Sequence, residues 1–322
     1  MNKNKKKDKV DLDALIPEGV TRIKIHHKSD LKAYIWLAPA LILLLTFNFI
    51  PPIMSLITSF TSSNGVTMER FVWFANYGEA LADGVFWQSI LNVFIITIAT
   101  FILTHVANLF LAELLYSMKA KRLSAFYRVM LIIPMVVPII VTLMITQYIT
   151  YSASENSLAN IVIGWFGAKP SMWFWDSNPA MVIFTIIIRG FPWAGGTTML
   201  IYLAALQGIS TEMIEATKLD GVGSFKRIVH FHLPMMVGQI KYFVITGIIG
   251  GMQDYNVQLL ITQPASDNGS SMVPGYLIYR QAFTNSRYGL ANAIGILLFI
   301  LILGLTFINN RFIQNKNSEE VK

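Results

Sequence analysis

The sequence predicts an all-α, polytopic membrane protein with six transmembrane helices, and three observations carry that prediction. The 322 residues are 54% hydrophobic and only 13% charged, against about a quarter charged in soluble domains. Six segments, at about 33–58, 89–116, 127–150, 180–206, 237–262 and 289–309, hold the roughly 20 mostly apolar residues that a membrane helix needs. Lys and Arg are distributed by side: 20 of the 25 fall in the N-terminal tail, the second-to-third and fourth-to-fifth connections and the C-terminal tail. The opposite connections hold only Arg70, Lys169, Arg280 and Arg287. Positive charge marks the cytoplasmic side, so both termini are expected there. This account of the +7 net charge leaves no call for nucleic acid.

The elements follow in order. Residues 1–32 begin MNKNKKKDKV and carry both signs of charge. The apolar run behind them starts only near Tyr34 and is long enough to span, so the segment is expected to be a solvated cytoplasmic tail, not a cleaved leader. A membrane domain at 33–310 and a cytoplasmic tail at 311–322 complete the division. Pro39, Pro51 and Pro52 interrupt the first span, Pro134 and Pro138 the third, and Pro192 the fourth. Such prolines bend helices, either around a cavity or as packing kinks. His105, Asn108 and Glu113 lie in the second span, where helix-to-helix hydrogen bonding is a simpler use for them than a proton relay. The external stretches WFANYGEALADGVFW (73–87) and WFGAKPSMWFWDSNP (165–179) are read as interfacial aromatic belts in preference to a ligand cage.

Between the fourth and fifth spans lies a charged stretch, EATKLDGVGSFKRIVHFHLP (215–234). Ser210 is placed to cap a helix, and Glu212 and Glu215 suit its first turns. Ile209, Met213, Ala216 and Leu219 form one apolar face. Gly221 can take the left-handed conformation that ends a helix. A second short helix begins at Gly223–Ser224 and closes at Pro234. The loop 210–234 is thus expected to be a cytoplasmic helix–turn–helix sized to dock in a partner's groove. His230 and His232 are two apart on this helix and point in different directions, so no metal site is expected. With no cysteine in the chain, disulfides and thiolate chemistry are excluded.

The same stretch resembles the EAA loop of binding-protein-dependent ABC importer permeases, with pattern EAA-x-x-DGA-x(8)-I-x-LP. Glu215, Ala216, Asp220, Gly221, Leu233 and Pro234 match it; Thr217 and Val222 replace alanines, and Phe231 replaces isoleucine. FYRVMLIIPMVVP (126–138), YLAALQGI (202–209) and YGLANAIGILLF (288–299) are similar to parts of maltose-transporter-type permeases in the same order. The resemblance implies a type I ABC importer permease fold in a bacterial plasma membrane. It implies a second permease subunit making a heterodimer, two ATP-binding subunits, an extracytoplasmic solute-binding protein and a carbohydrate solute. Glu215, Ala216, Asp220 and Gly221 would couple to the ATPase. The chain has no G-x-x-x-x-G-K-[ST] phosphate loop, so it is read as a non-enzymatic subunit with no cofactor of its own, ATP being used by the partner.

Polar residues inside a span mark a solute path. The richest set is GGMQDYNVQ (250–258). On a continuous helix, Asp254 and Gln258 share a face, with Gln253 and Asn256 beside it. By resemblance, Gln253, Asp254, Gly190 and Trp193 fall at solute-pocket positions, Trp193 either stacking on a sugar or packing between helices. The matching positions in the third span, Met135 and Ile139, are apolar. Arg189 is read as a paired or snorkelling charge, or as a counter-charge to an acidic solute such as glycerol phosphate. An ion-coupled secondary transporter using Asp254, His105 and Glu113 is the alternative class; it leaves the 215–234 stretch without a role.

Overall fold

The computed structural model describes residues 31–67, 70–193, 195–262 and 271–312, without the side chains of 31–33, Lys218 and Phe312. The expectations for the two tails lie outside these residues, apart from 31–32 and 311–312. The chain divides into two compact units at Pro52–Ile53. The described part of the first is helical.

Among the described residues every long element is helical, and the segments expected as the third, fourth and fifth spans are each interrupted. Helix α1 is Tyr34–Thr58, α2 Ala75–Ala82 and α3 Gly84–Ser117. Lys121–Val136 (α4) meets Ile139–Thr150 (α5) at 90°. Leu158–Gly164 (α6), Pro179–Ile188 (α7) and Gly196–Gln207 (α8) follow. Thr211–Leu219 (α9) and Ser224–Met235 (α10) precede Val237–Gln253 (α11) and Asn256–Leu260 (α12). A helix over 274–284 (α13) leads into Tyr288–Phe312 (α14). Among the described residues, α1, α3 and α14 alone are long and apolar enough to cross a membrane; counting the two sharply bent pairs gives five.

The breaks have local causes. Val137 precedes Pro138, which disfavours the helical region for it; its ψ of 126° ends α4 and starts the 90° turn. In α1 the helix passes Pro39 and widens to a π turn at Leu45–Phe49, just ahead of Pro51 and Pro52. The fourth span stops at Ile188 and resumes at Gly196, after Pro192 and a Gly195 with φ of +108°. The fifth departs from the expected continuous helix: Asp254 has an extended ψ of 131° and separates α11 from α12.

Helix α3 is the centre of the bundle, packing on α4, α7, α8, α11 and α13. Its apolar surface runs all round, as in a membrane helix, but polar side chains fix its neighbours. Asn108, 1% exposed, spans the gap in the fourth span. Its amide nitrogen donates to the Trp193 carbonyl (3.1 Å), and its carbonyl oxygen accepts from Gly195 N–H (2.7 Å). His105 bonds to the Tyr202 hydroxyl on α8 at 3.0 Å. Glu113 Oε1 lies 2.7 Å from His232 Nδ1 on α10. Asn92 donates to the Met272 carbonyl at 2.9 Å. Of the three polar residues noted in the second span, His105 and Glu113 thus bond helix to helix, whereas Asn108 bonds to the non-helical gap. On α11, Gly247 and Gly251 face Phe101 and Thr97; a side chain at either glycine would collide with them, the close approach that small-xxx-small pairs permit.

The aromatic-rich stretches expected to be external are partly core. Trp173 and Phe174 are buried with Tyr151 and Val182, so the belt expected there does not include these two, whereas Trp165 and Phe166 are exposed. Asn160 organises the turn: its oxygen accepts from Trp173 Nε1 at 2.8 Å and Ser171 N at 2.9 Å. In the other such stretch, Glu79 accepts twice from Arg287, at 2.6 Å each.

Two predictions follow from this packing. Asn108→Ala leaves a buried carbonyl and a buried N–H without partners, at about 1–3 kcal/mol each, and should lower the thermal midpoint of the purified protein; an unchanged midpoint would show that the gap satisfies itself. The Glu79–Arg287 pair holds the Glu79 carboxyl below its ordinary range, chiefly through the Arg287 hydrogen bond. A depressed carboxylate stabilises above its unfolded pKa and ceases to do so as pH falls through the folded one. Half-exposed, the pair contributes at most about 1 kcal/mol. Glu79→Gln should therefore cost a little stability at neutral pH and nothing in acid below the carboxylate range, as followed by denaturation across pH.

Candidate functional site

Two regions carry chemistry: the 210–234 loop and a cavity at mid-bundle.

The loop folds as its sequence directs. Ser210 Oγ accepts from Met213 N–H at 3.4 Å, a long cap bond, and Glu212 lies in the first turn. At the other end Val222 N–H reaches back to the Thr217 carbonyl at 3.1 Å, closing a Schellman turn with Gly221 at φ +69°. Helix α10 then runs on through Pro234 and ends at Met235, where a 71° bend begins α11. A π turn at Ile228–His232 lies just before the proline. The expected end at Pro234 is thus one residue short.

The loop's faces differ from the expected one. Ile209 is buried, but Leu219 is 89% exposed, and Ala216 is exposed too. The inward contact is made by Ile214 and by Thr217, which is 3% exposed. Ile214 joins the cluster of Tyr116, Met118, Leu233 and Met236. Helix α9 has two apolar stripes, and the bundle uses the one that periodicity did not select. The other, with Leu219 and the 78%-exposed Phe225, stays uncovered beside Glu215, Ala216, Asp220 and Gly221, which are all exposed. His232 is buried on Glu113, whereas His230 is exposed and bonded to the Lys226 carbonyl at 3.0 Å. The two rings serve different neighbours, and among the described residues no cluster could hold a metal.

The cavity has a volume of about 310 Å³ and opens beside the gap in the fourth span. Thr100, Thr104 and Asn108 of α3 form one wall, and Arg189, Gly190, Trp193, Gly195 and Thr198 another. Trp193 (φ +54°) donates its indole N–H to the Ile187 carbonyl at 3.0 Å, and its ring covers Gly190. Gly190 thus leaves room for the indole, and the polar edge of Trp193 is already satisfied. Gln253 does not reach this cavity. It lines a separate cleft of about 230 Å³ with Tyr255, Tyr279 and Phe283, where Tyr255 and Tyr279 stack at 6.2 Å. Asp254 is exposed at the helix break, its Oδ1 accepting from Asn256 N (3.1 Å) and Nδ2 (2.6 Å). Gln258 is buried and no longer shares a face with Asp254, because the helix on which that spacing was counted is broken. Thr100, Thr104, Thr198, Tyr255 and Tyr279 are additions. The i, i+4, i+8 spacing of Thr100, Thr104 and Asn108 was a readable signal for three of the wall positions.

A family profile, the binding-protein-dependent transport system inner membrane component, matches residues 106–317. The chain belongs to that family. This inner membrane component is 29% identical over 277 residues to the arabinooligosaccharides transport system permease protein AraP of Bacillus subtilis, covering 86% of each chain. It is 27% identical over 290 residues to the lactose transport system permease protein LacF of Rhizobium radiobacter, covering 89% of this chain and 96% of that one. Its fold is similar to a chain of a bacterial alginate ABC transporter crystallised with an alginate pentasaccharide-bound periplasmic protein. The TM-score is 0.76 at 19% identity, covering 89% of this chain and 96% of the other. The matched span includes the 210–234 loop and the cavity wall from Asn108 onward, but not Thr100, Thr104 or His105.

The Glu113–His232 contact joins the inner membrane component's loop to α3, with His232 buried and Glu113 partly so. Glu113→Leu and His232→Leu should each destabilise the fold, and the double replacement should cost less than their sum. The expected coupling is about 1.5–3 kcal/mol. Additive losses in the cycle would show the contact to be incidental.

Proposed function

We propose that the chain is the membrane-spanning permease subunit of an ABC importer for a carbohydrate, an oligosaccharide or sugar derivative. The observation that carries this reading is the capped loop at 210–234, which keeps the EAA-type residues and Leu219 exposed while anchoring its inner face in the bundle. The sugar assignment draws on the names of the relatives, which transport arabinooligosaccharides and lactose. In this proposal six spans cross a bacterial plasma membrane with both termini cytoplasmic. They are α1, α3, the α4–α5 pair, the α7–α8 pair, α11–α12 and α14. A second permease chain completes a heterodimeric pore, and an extracytoplasmic binding protein delivers the solute. Two ATP-binding subunits seat on the loop and consume the ATP; the permease contributes no cofactor.

Closure of the ATPase pair would push on α9 and α10. That push reaches the bundle through two contacts, Ile214 in the apolar cluster and His232 on Glu113. Both end on α3 or its neighbours, and α3 forms a wall of the cavity. A rigid-body tilt of this kind is an established mode of switching. Glu215 offers charge to a basic residue of the ATPase, Ala216 allows close approach, and Asp220 and Gly221 set the turn. Asp254, Gln253, Asn256, Gly190 and Trp193 line or frame the solute's route.

In reconstituted proteoliposomes, Glu215→Lys should leave the importer assembled and its ATPase active while solute uptake drops at least about tenfold. Normal uptake by that variant would refute the coupling role. Asp254→Ala should reduce uptake more than assembly; equal losses would make it a purely structural cap of α12.

A further inference from the structure

Arg189 has no partner in the scheme above. It sits where the fourth span breaks, on the wall of the 310 Å³ cavity. Its Nε is buried without a hydrogen-bond partner. Among the described residues, none accepts a hydrogen bond from its guanidinium, and no Asp or Glu lies within 4 Å. Asp254 is within electrostatic reach, but no hydrogen bond joins the two side chains; its Oδ1 accepts from Asn256. The Asn108 oxygen is taken by Gly195. Thr100, Thr104 and Thr198 line the same cavity as Arg189, the Thr100 hydroxyl donating to the Ile96 carbonyl at 2.6 Å.

Such an arrangement is costly without a ligand. A guanidinium presents five donors and accepts nothing, and an unpaired cation at mid-bilayer is expensive. Arginine differs from lysine in carrying a rigid fork that matches the two oxygens of a carboxylate or phosphate. The geometry points to a solute with a fixed negative charge: a saccharide bearing an acidic group, either a uronate carboxylate or a sugar phosphate. Arg189 takes the acidic group, and the threonine hydroxyls meet sugar hydroxyls. Asp254, of the same sign as the solute, keeps Arg189 from being a permanent trap, since it competes for the cation when the solute leaves. This inference rests on the proposed importer function and narrows its solute class.

The test is equilibrium binding to the purified importer, both permease chains with the ATP-binding subunits, without its binding protein. Three probes are compared: a galacturonate disaccharide, the same disaccharide with its carboxyls reduced to alcohols, and a hexose phosphate. At least one acidic probe should bind about tenfold or more tightly than the neutral one, the loss expected for one charge-assisted hydrogen bond. Which acidic probe does so separates carboxylate from phosphate. Arg189→Gln should cut that preference at least about tenfold, and Arg189→Lys should keep part of it. Equal binding of neutral and acidic probes overturns the inference, as does a preference that survives Arg189→Gln. If Arg189→Gln fails to assemble, the wild-type preference and Arg189→Lys decide it: a preference unchanged by lysine overturns the fork geometry. Binding of neutral saccharide alone leaves the carbohydrate importer standing and overturns only the acidic class. Binding of none of the probes and of no neutral oligosaccharide overturns both.

Discussion

A lipid-embedded chain must satisfy every backbone group it frees from a helix, and in this protein the side chain of Asn108 meets that demand at the decisive place. The fourth span is interrupted, so the Trp193 carbonyl and Gly195 N–H lose their helical partners. A bilayer offers no water to replace them. Asn108 supplies one donor and one acceptor to the two sides of the gap. The gap can then stay open, and an open gap beside α3 is what the cavity consists of. Gly195 is needed there twice, for its positive φ and because a side chain would strike the Leu131 carbonyl.

Along its length, α3 is fixed to several neighbours by polar or close contacts. Asn92 holds the segment before α13, Thr97 meets Gly251 of α11, and Thr100 and Thr104 face the cavity. His105 reaches α8, Asn108 the gap, and Glu113 the docking loop. Apolar contact alone gives weak orientation between helices in lipid, where the tails are as apolar as leucine. Sparse polar contacts therefore set register and tilt. The same helix thus touches both the loop proposed to receive the ATPase and the wall of the proposed solute site.

Much of the helical framework was legible in the sequence because hydropathy, proline and capping are local signals. Ser210, Gly221 and the prolines acted where their chemistry placed them. The misreadings share a physical origin. Helix α9 carries two apolar stripes, and periodicity cannot say which one the bundle takes. Asp254 and Gln258 share a face only if the helix is continuous, and Asp254 itself caps a new helix by bonding Asn256. Trp173 and Phe174 look like belt residues until Asn160, thirteen residues before Trp173, draws the turn inward. Gln253 and Trp193 are both near the middle of spans, yet line different spaces. Which polar residues converge is decided by contacts between segments nearly a hundred residues apart, as with Asn108 and Gly195, and no local pattern reports those.

The central claim is that the docking loop and α3 move as one body, so that ATPase closure reaches the cavity without slippage. The absence of cysteine from the chain allows a direct measurement. Cysteines placed at Glu113 and His232 can be joined by a short bifunctional thiol reagent in the reconstituted importer, and solute uptake compared before and after joining. The account predicts that uptake, however reduced by the substitutions themselves, is unchanged by the cross-link. Abolition of uptake on cross-linking, restored when the link is cleaved, would show that α10 slides on α3 during transport and would contradict it.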